Sequence, residues 1–292
     1  MSATPARASR ALLHAACAIA LIAAPAAAAT QTNALTPTQH ARVGLVTDHD
    51  AVRPGQTLQV GLRIVHDPGW HTYWINSGDS GLATRFDWTL PDGAQAGPIR
   101  WPFPERLPAG PLVNFGYSDT LLLPATLRVP DSLRAGERFR ATLRARWLIC
   151  AETCIPDEAT LALDLAVARA PRTSAEAPAF AATLARVPEP LPATGHAWRD
   201  ATHVAVQIDD AAWTRDAARI EVFPLTPQVV ASTPIEARLG PDGALRFRHP
   251  ASEAFDQMPA RVAWAIGVHA PDGRFRAWEV ALPGEDARPQ RR

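Results

Sequence analysis

Arg138-Phe139-Arg140-Ala141-Thr142-Leu143-Arg144-Ala145-Arg146-Trp147-Leu148-Ile149-Cys150-Ala151-Glu152-Thr153-Cys154 reads as a strand running into a tight turn. Every odd position from 139 to 149 is apolar, and the even positions from 138 to 146 hold arginine or threonine. Period two of this kind marks a β-strand with one buried face. Beyond the turn, Leu161, Leu163, Leu165 and Val167 keep the odd parity. If Cys150 stands opposite Cys154, paired residue numbers sum to 304, so Leu143 meets Leu161, Ala141 meets Leu163 and Phe139 meets Leu165. Both apolar faces then fall on one side, as a hairpin register demands. The same parity predicts both cysteines on the face away from the core, accessible unless another segment covers them. The turn 151–153 lacks the glycine that tight hairpins favour.

Strand patterns continue on both sides. Leu58, Val60, Leu62 and Ile64 alternate with other residues, as do Phe86, Trp88 and Leu90, and residues 121–129 resume the pattern. The stretch from Gly69 through Tyr73 and Trp74 to Gly81 is aromatic first and turn-rich after. Prolines at 98, 102, 104, 108 and 111 keep that region extended. After the hairpin the composition shifts to Ala and Pro over residues 168–200, with room for a short helix within 175–187 presenting Phe180 and Leu184 on one face. Further strand patterns follow at 203–208, 220–223, 229–239, 244–248, 261–269 and 274–282. The chain is therefore expected to be all-β. A first β-sandwich over 41–168 and a second over 201–283 are joined by an Ala/Pro-rich linker at 169–200. A disordered lead-in is expected at 30–40 and a loose tail at 284–292.

The first 29 residues read as an export signal: Arg7 and Arg10, an apolar run over 11–24 broken only by His14, then alanines offering an A-x-A cleavage site. Cys17 lies in that run and is expected to leave with it. No later stretch has 18 consecutive apolar residues, so no membrane span is expected after signal removal. The expected compartment is the periplasm, where disulfides persist. With 29 basic and 29 acidic residues, all the basic ones arginine, the chain lacks the excess that nucleic-acid binding requires.

The mature chain then carries two cysteines, Cys150 and Cys154. A disulfide closing so small a loop adds only about 2 kcal/mol of stability, and a sandwich of this size does not depend on it. A redox-active pair is the reading favoured by the residues. An inert staple is the alternative, and metal binding a lesser one: zinc needs two more ligands, whereas copper(I) can use two thiolates. No cofactor beyond the redox disulfide is expected. Phe115 and Tyr117 are candidates to cover the pair, and His71 and Tyr73 to line a pocket around it. Glu152 disfavours a thiolate, with Arg146 a candidate to offset it.

Three blocks carry a family resemblance. They are Gly69-Trp70-His71-Thr72-Tyr73-Trp74 with Asn76-Ser77-Gly78-Asp79-Ser80-Gly81; Ile99-Arg100-Trp101-Pro102 with Pro104-Glu105-Arg106 and then Val113-Asn114-Phe115-Gly116-Tyr117; and Trp147-Leu148-Ile149-Cys150 through Cys154-Ile155-Pro156. Together, over about residues 40–168, they resemble the N-terminal periplasmic domain of DsbD thiol:disulfide interchange proteins, especially the ScsB-like branch. Val222-Phe223-Pro224-Leu225 and Asp242-Gly243-Ala244-Leu245 resemble the extra β-sandwich of that branch. The resemblance implies an immunoglobulin-like fold and an electron relay. A membrane-embedded thiol reductase or a thioredoxin-like donor reduces the pair, which then reduces periplasmic thioredoxin-like acceptors. It further implies that Cys154 forms the mixed disulfide and Cys150 resolves it, with Phe115 as the aromatic cap and His71 and Tyr73 as pocket residues. The transmembrane and thioredoxin-like domains of the full-length pattern do not occur in this sequence, so a separate donor is expected. The alternatives are a docking module with an inert disulfide and a copper-handling protein.

Overall fold

The expected hairpin is the spine of the first sandwich. Arg138–Cys150 runs antiparallel to Cys154–Val167, from Arg138 opposite Ala166 to Cys150 opposite Cys154. Phe139, Leu143, Ala145, Ile149 and Leu165 are fully buried. The even-numbered arginines stay outside and find carboxylates: Arg138 to Asp164 at 2.6 Å, Arg144 to Glu158 at 2.8 Å and Arg146 to Asp87 at 2.7 Å. Exposed pairs of this kind contribute at most about 1 kcal/mol each, so burial of the odd-numbered face holds the hairpin down. The structure is a computed structural model that describes residues 35–253 and 257–286; the expected export signal at 1–29 lies outside them.

Around the hairpin a five-stranded sheet runs in the order Arg172–Thr173, His49–Val52, Cys154–Val167, Arg138–Cys150, Arg85–Thr89. A second sheet follows the order Thr36–Pro37, Ala41–Thr47, Thr57–His66, Thr120–Arg128, Gln95–Ala96. Val43, Leu62, Ile64 and Leu123 of the second sheet share one core with the hairpin's odd-numbered residues. A third, three-stranded sheet joins Thr72–Gly78, Leu112–Tyr117 and Glu105–Ala109. On its outer edge Cys154–Val167 is paired only at Ala166 and Val167, which meet Ala51 and Val52.

The C-terminal half forms one continuous eight-stranded sheet. Its order is Arg219–Pro224, Arg261–His269, Phe275–Glu285, Gly195–Arg199, His203–Ile208, Leu245–Pro250, Arg238–Leu239, with Glu189–Pro190 paired to Phe275–Glu285. Val206, Phe247, Trp264, Ile266 and Leu282, from distant strands of this sheet, lie in a single core, so the sheet curls around it. The molecule is all-β and immunoglobulin-like, with one short α-helix among the described residues.

Four sequence expectations need correction. In the described part of the expected lead-in, Thr36–Pro37 is ordered as a strand paired with Ala41–Thr47; residues 30–34 lie outside the described residues. The segment 169–200 is woven into the fold rather than spanning between domains. Arg172–Thr173 extends the hairpin sheet, and the helix Ala177–Leu184 drops Phe180 onto Val46 and Leu122. Arg63 Nη1 donates to Glu176 at 2.9 Å just before that helix. Gly195–Arg199 already belongs to the eight-stranded sheet. Residues 229–239 form a strand only at Arg238–Leu239. Gly284 and Glu285 are not loose, because they pair with Ala197 and Trp198; the rest of the expected tail, from 287, lies outside the described residues.

His249 is fully buried in the second half. Burial, with the Arg106 charge nearby, pushes its pKa from 6.5 down to about 3. The unfolded chain therefore binds a proton that the folded chain refuses, and stability falls as pH drops from about 6.5 towards 3. Urea midpoints of the wild-type protein and His249→Leu at pH 7 and pH 4 check this. The wild type should lose about 3 kcal/mol more than the variant over that interval.

Candidate functional site

Three segments meet at the hairpin tip, and the first is the tip itself. Cys150 and Cys154 are joined by a disulfide, with Cα atoms 4.1 Å apart. Cys150 turns both backbone groups sideways. Its N–H donates to the His71 carbonyl at 3.0 Å, and its carbonyl accepts from the His71 N–H at 2.9 Å. It therefore stands opposite Cys154 as a non-hydrogen-bonded pair, the geometry in which facing side chains come closest. The tip closes with the Ala151 N–H donating to the Thr153 carbonyl at 3.2 Å. None of residues 151–153 has a positive φ, which is why the turn manages without glycine.

The His71 segment also separates the two sulfurs' surroundings. Cys150 is 1% exposed, whereas Cys154 is exposed. Parity left both cysteines accessible unless another segment covered them: Cys154 is open, and Cys150 is the exception, covered by the segment leading into Thr72–Gly78.

That strand supplies the second set of groups. Tyr73 is 1% exposed and its hydroxyl lies 3.4 Å from Cys154 Sγ. The His71 ring meets the Tyr73 ring edge-on at 5.3 Å. Burial raises the Tyr73 pKa, so the hydroxyl keeps its proton at neutral pH. Burial lowers the His71 pKa and keeps the imidazole neutral there. The exposed sulfur thus has an uncharged hydrogen-bond donor beside it. Arg146, the candidate to offset Glu152, pairs with Asp87 at 2.7 Å.

Residues 76–81 explain why Tyr73 sits where it does. Gly81 has φ +97°, and a Cβ there would come 2.2 Å from the Tyr73 ring. Only glycine leaves room for that ring at this backbone angle. Ser77 Oγ donates to the Gly81 carbonyl at 3.0 Å, and the Ser80 N–H and Oγ both donate to Asn114 Oδ1, at 3.1 and 2.9 Å. The Val113 N–H donates to Asp79 Oδ2 at 2.8 Å. The polar loop is thereby tied to Leu112–Tyr117, the third segment. Gly81, Asn76 and Asn114 were not singled out as site residues by sequence reasoning. The uninterrupted run of small and polar residues at 76–81 was the signal available.

Leu112–Tyr117 places its aromatics differently from expectation. Phe115 is fully buried, and its ring lies edge-on to Phe223 at 5.1 Å with the Arg106 guanidinium 5.8 Å from its centroid. It packs towards the second half of the chain, and the Tyr73 hydroxyl is hydrogen-bonded to the Cys154 sulfur. Tyr117 is buried too, donating to the Pro102 carbonyl at 2.7 Å, and full burial raises its pKa well above the usual value. An open groove of about 600 Å³ lies beside the pair, lined by Leu82, Ala83, Arg85, Arg146, Leu148 and Pro156 among others. Leu148 stands opposite Pro156, the next pair on the cysteines' side of the hairpin.

Residues 42–166 match the family described as thiol:disulfide interchange protein DsbD, N-terminal. That segment is a thiol:disulfide interchange domain, and Cys150–Cys154 is its disulfide. The crystal structure of the N-terminal periplasmic domain of ScsB from Proteus mirabilis superposes with a TM-score of 0.59 at 17% identity, covering 84% of this chain and 94% of that chain. A variant of BcpA, the major pilin subunit of Bacillus cereus, gives a TM-score of 0.23 at 9% identity over 84% of this chain and 70% of that one. Among curated proteins none matches the sequence.

Donation from Tyr73 to the Cys154 sulfur favours the thiolate once the pair is reduced. Tyr73→Phe should therefore slow alkylation of Cys154 at pH 7 by roughly twofold to tenfold without unfolding the protein. Timed iodoacetamide labelling followed by peptide mass spectrometry measures this.

Proposed function

We propose that this chain is a periplasmic thiol–disulfide relay in which Cys154 exchanges with partner proteins and Cys150 resolves the mixed disulfide. The observation that carries the reading is the unequal exposure of the two sulfurs, one open to a partner and one at 1%. In the reduced state the Cys154 thiolate attacks an acceptor's disulfide. One acceptor sulfur leaves as a thiolate and takes up a proton. The Cys150 thiolate then attacks Cys154 Sγ, the second acceptor thiol is released, and the pair closes again as a disulfide. Two electrons pass to the acceptor. The reverse sequence with a donor dithiol reloads the pair.

The acceptor of this reading is a periplasmic thioredoxin-like protein, and the donor a membrane-embedded thiol reductase or a thioredoxin-like protein. The match of residues 42–166 to the DsbD N-terminal family supports both assignments. The export signal read in residues 1–29 supports the compartment. Among the described residues no helix is long and apolar enough to cross a membrane. The groove flanking the pair, with Leu82 65% exposed on its wall, suits an apolar segment beside an acceptor's reactive cysteine.

Expression of Cys150→Ala in the periplasm should trap covalent complexes through Cys154, released by reductant and identified by mass spectrometry. Cys154→Ala should trap none and abolish electron transfer; undiminished transfer by that variant overturns the proposal. Equilibration with glutathione should give a reduction potential above about −300 mV, whereas an inert staple lies below it.

A further inference from the structure

The three-stranded sheet that carries Tyr73, with His71 leading into it, packs against one strand of the second half, Arg219–Pro224. Asn76 Nδ2 donates to the Pro224 carbonyl at 2.8 Å. Arg106 Nη2 donates to the Val222 carbonyl at 2.6 Å. Between these two tethers the Phe223 ring inserts into the first core. It meets Phe115 at 5.1 Å, Phe103 at 5.0 Å and Trp74 at 6.2 Å, all edge-on, while the Arg106 guanidinium lies 4.0 Å from its centroid. Phe223 therefore touches or lies beside all the strands of the sheet: Trp74 is on the first, Phe115 on the second and Arg106 on the third.

Arg106 is partly stripped of water without a carboxylate bonded to it. Burial lowers its pKa, with the charge of Glu221 acting the other way. Glu221 itself is engaged by His269 at 2.6 Å and Arg219 at 3.1 Å. A guanidinium placed on an aromatic face and a backbone carbonyl is oriented by geometry rather than by an ion pair. Moving the sheet away from Arg219–Pro224 would break two hydrogen bonds and open an aromatic cluster at once.

We infer that Arg219–Pro224, through Phe223 and the carbonyls of Val222 and Pro224, positions the redox pair by clamping the sheet that covers Cys150 and presents Tyr73 to Cys154. Phe223 and Arg106 are positioning residues, because neither touches a sulfur. The chain of contacts is short. Phe223 holds Trp74 and Phe115, Trp74 adjoins Tyr73, and two residues earlier His71 makes the paired backbone hydrogen bonds that shut in Cys150. The second half of the chain thus sets how closed the site is. This deepens the relay reading and rests on it for its purpose, but the test needs no partner protein.

Reduced full-length protein is treated with iodoacetamide, and labelling of Cys150 and Cys154 is followed separately by peptide mass spectrometry. Wild-type protein should label at Cys154 while Cys150 stays protected. Phe223→Ala should raise the Cys150 rate about tenfold by making local opening easier. Arg106→Met, which keeps the stem and loses the donor, should raise it in the same direction, and it serves if Phe223→Ala does not fold. Leu282→Ala is the control: it truncates the second core away from the clamped sheet and should leave Cys150 labelling at the wild-type rate. The inference is overturned if the folded Phe223→Ala and Arg106→Met proteins protect Cys150 as the wild type does. It is equally overturned if Leu282→Ala exposes Cys150 to the same extent. Failure of the relay reading shows instead as electron transfer by Cys154→Ala, which these rates do not affect.

Discussion

The paired backbone hydrogen bonds between His71 and Cys150 are the constraint on which the site depends. They take both polar backbone groups of Cys150 away from its hairpin partner, which makes Cys150 and Cys154 a closely facing pair. They lay a second segment along one cysteine and not the other, which buries one sulfur and leaves its neighbour open. They also set the register of Thr72–Gly78, two residues along which Tyr73 reaches Cys154. An asymmetric dithiol requires two nearly identical positions to be made different, and one stretch of backbone does this without any charged group.

The hairpin was legible in the sequence because its information is local. Alternation from Phe139 to Ile149 and from Leu161 to Val167 specifies a face, and a shared parity specifies a register. What covers that hairpin was not legible in its pattern, although residue type and resemblance placed His71 and Tyr73 beside the pair. The burial of Cys150 depends on a segment some eighty positions earlier, and no periodicity encodes such a meeting. The aromatic assignments show the same limit. Phe115 and Tyr73 were both placed near the pair by residue type and by resemblance, but their partners differ: Phe115 packs on Phe223, and the space at Gly81 admits Tyr73. The segment at 169–200 misled for a different reason. An Ala/Pro-rich composition describes a chain without long regular elements, and such a chain serves equally well to add single pairs of residues to existing sheets and to lay a short helix across one.

The relation between the halves of the molecule follows from a small number of side chains. Phe223, Ala265 and Ala277 belong to strands of the eight-stranded sheet, yet they complete the core of the first sandwich. Gly267 has a corresponding role, since a Cβ there would meet the Phe103 ring at 2.6 Å. Alanine and glycine on one surface and large rings on the other form a contact by complementary size, which fixes orientation more firmly than polar contacts alone. The second half is therefore a structural component of the cysteine-bearing unit.

The outer edge of Cys154–Val167 has a consequence for how molecules meet each other. Because Cys150 faces His71, the even-numbered residues opposite turn their backbone groups outward, beginning with Cys154. Pro156 has no N–H to offer. The Glu158 N–H is occupied by the Asp157 carboxylate at 2.9 Å, and the other oxygen of that carboxylate accepts from the Gln39 N–H at 3.1 Å. An edge with successive donors removed is a poor template for an incoming strand. Two hairpin tips aligned edge to edge would bring the open sulfurs of separate copies near one another. The strand next to the reactive sulfur thus discourages self-recognition through its backbone, leaving encounters at that sulfur to surfaces of other shapes.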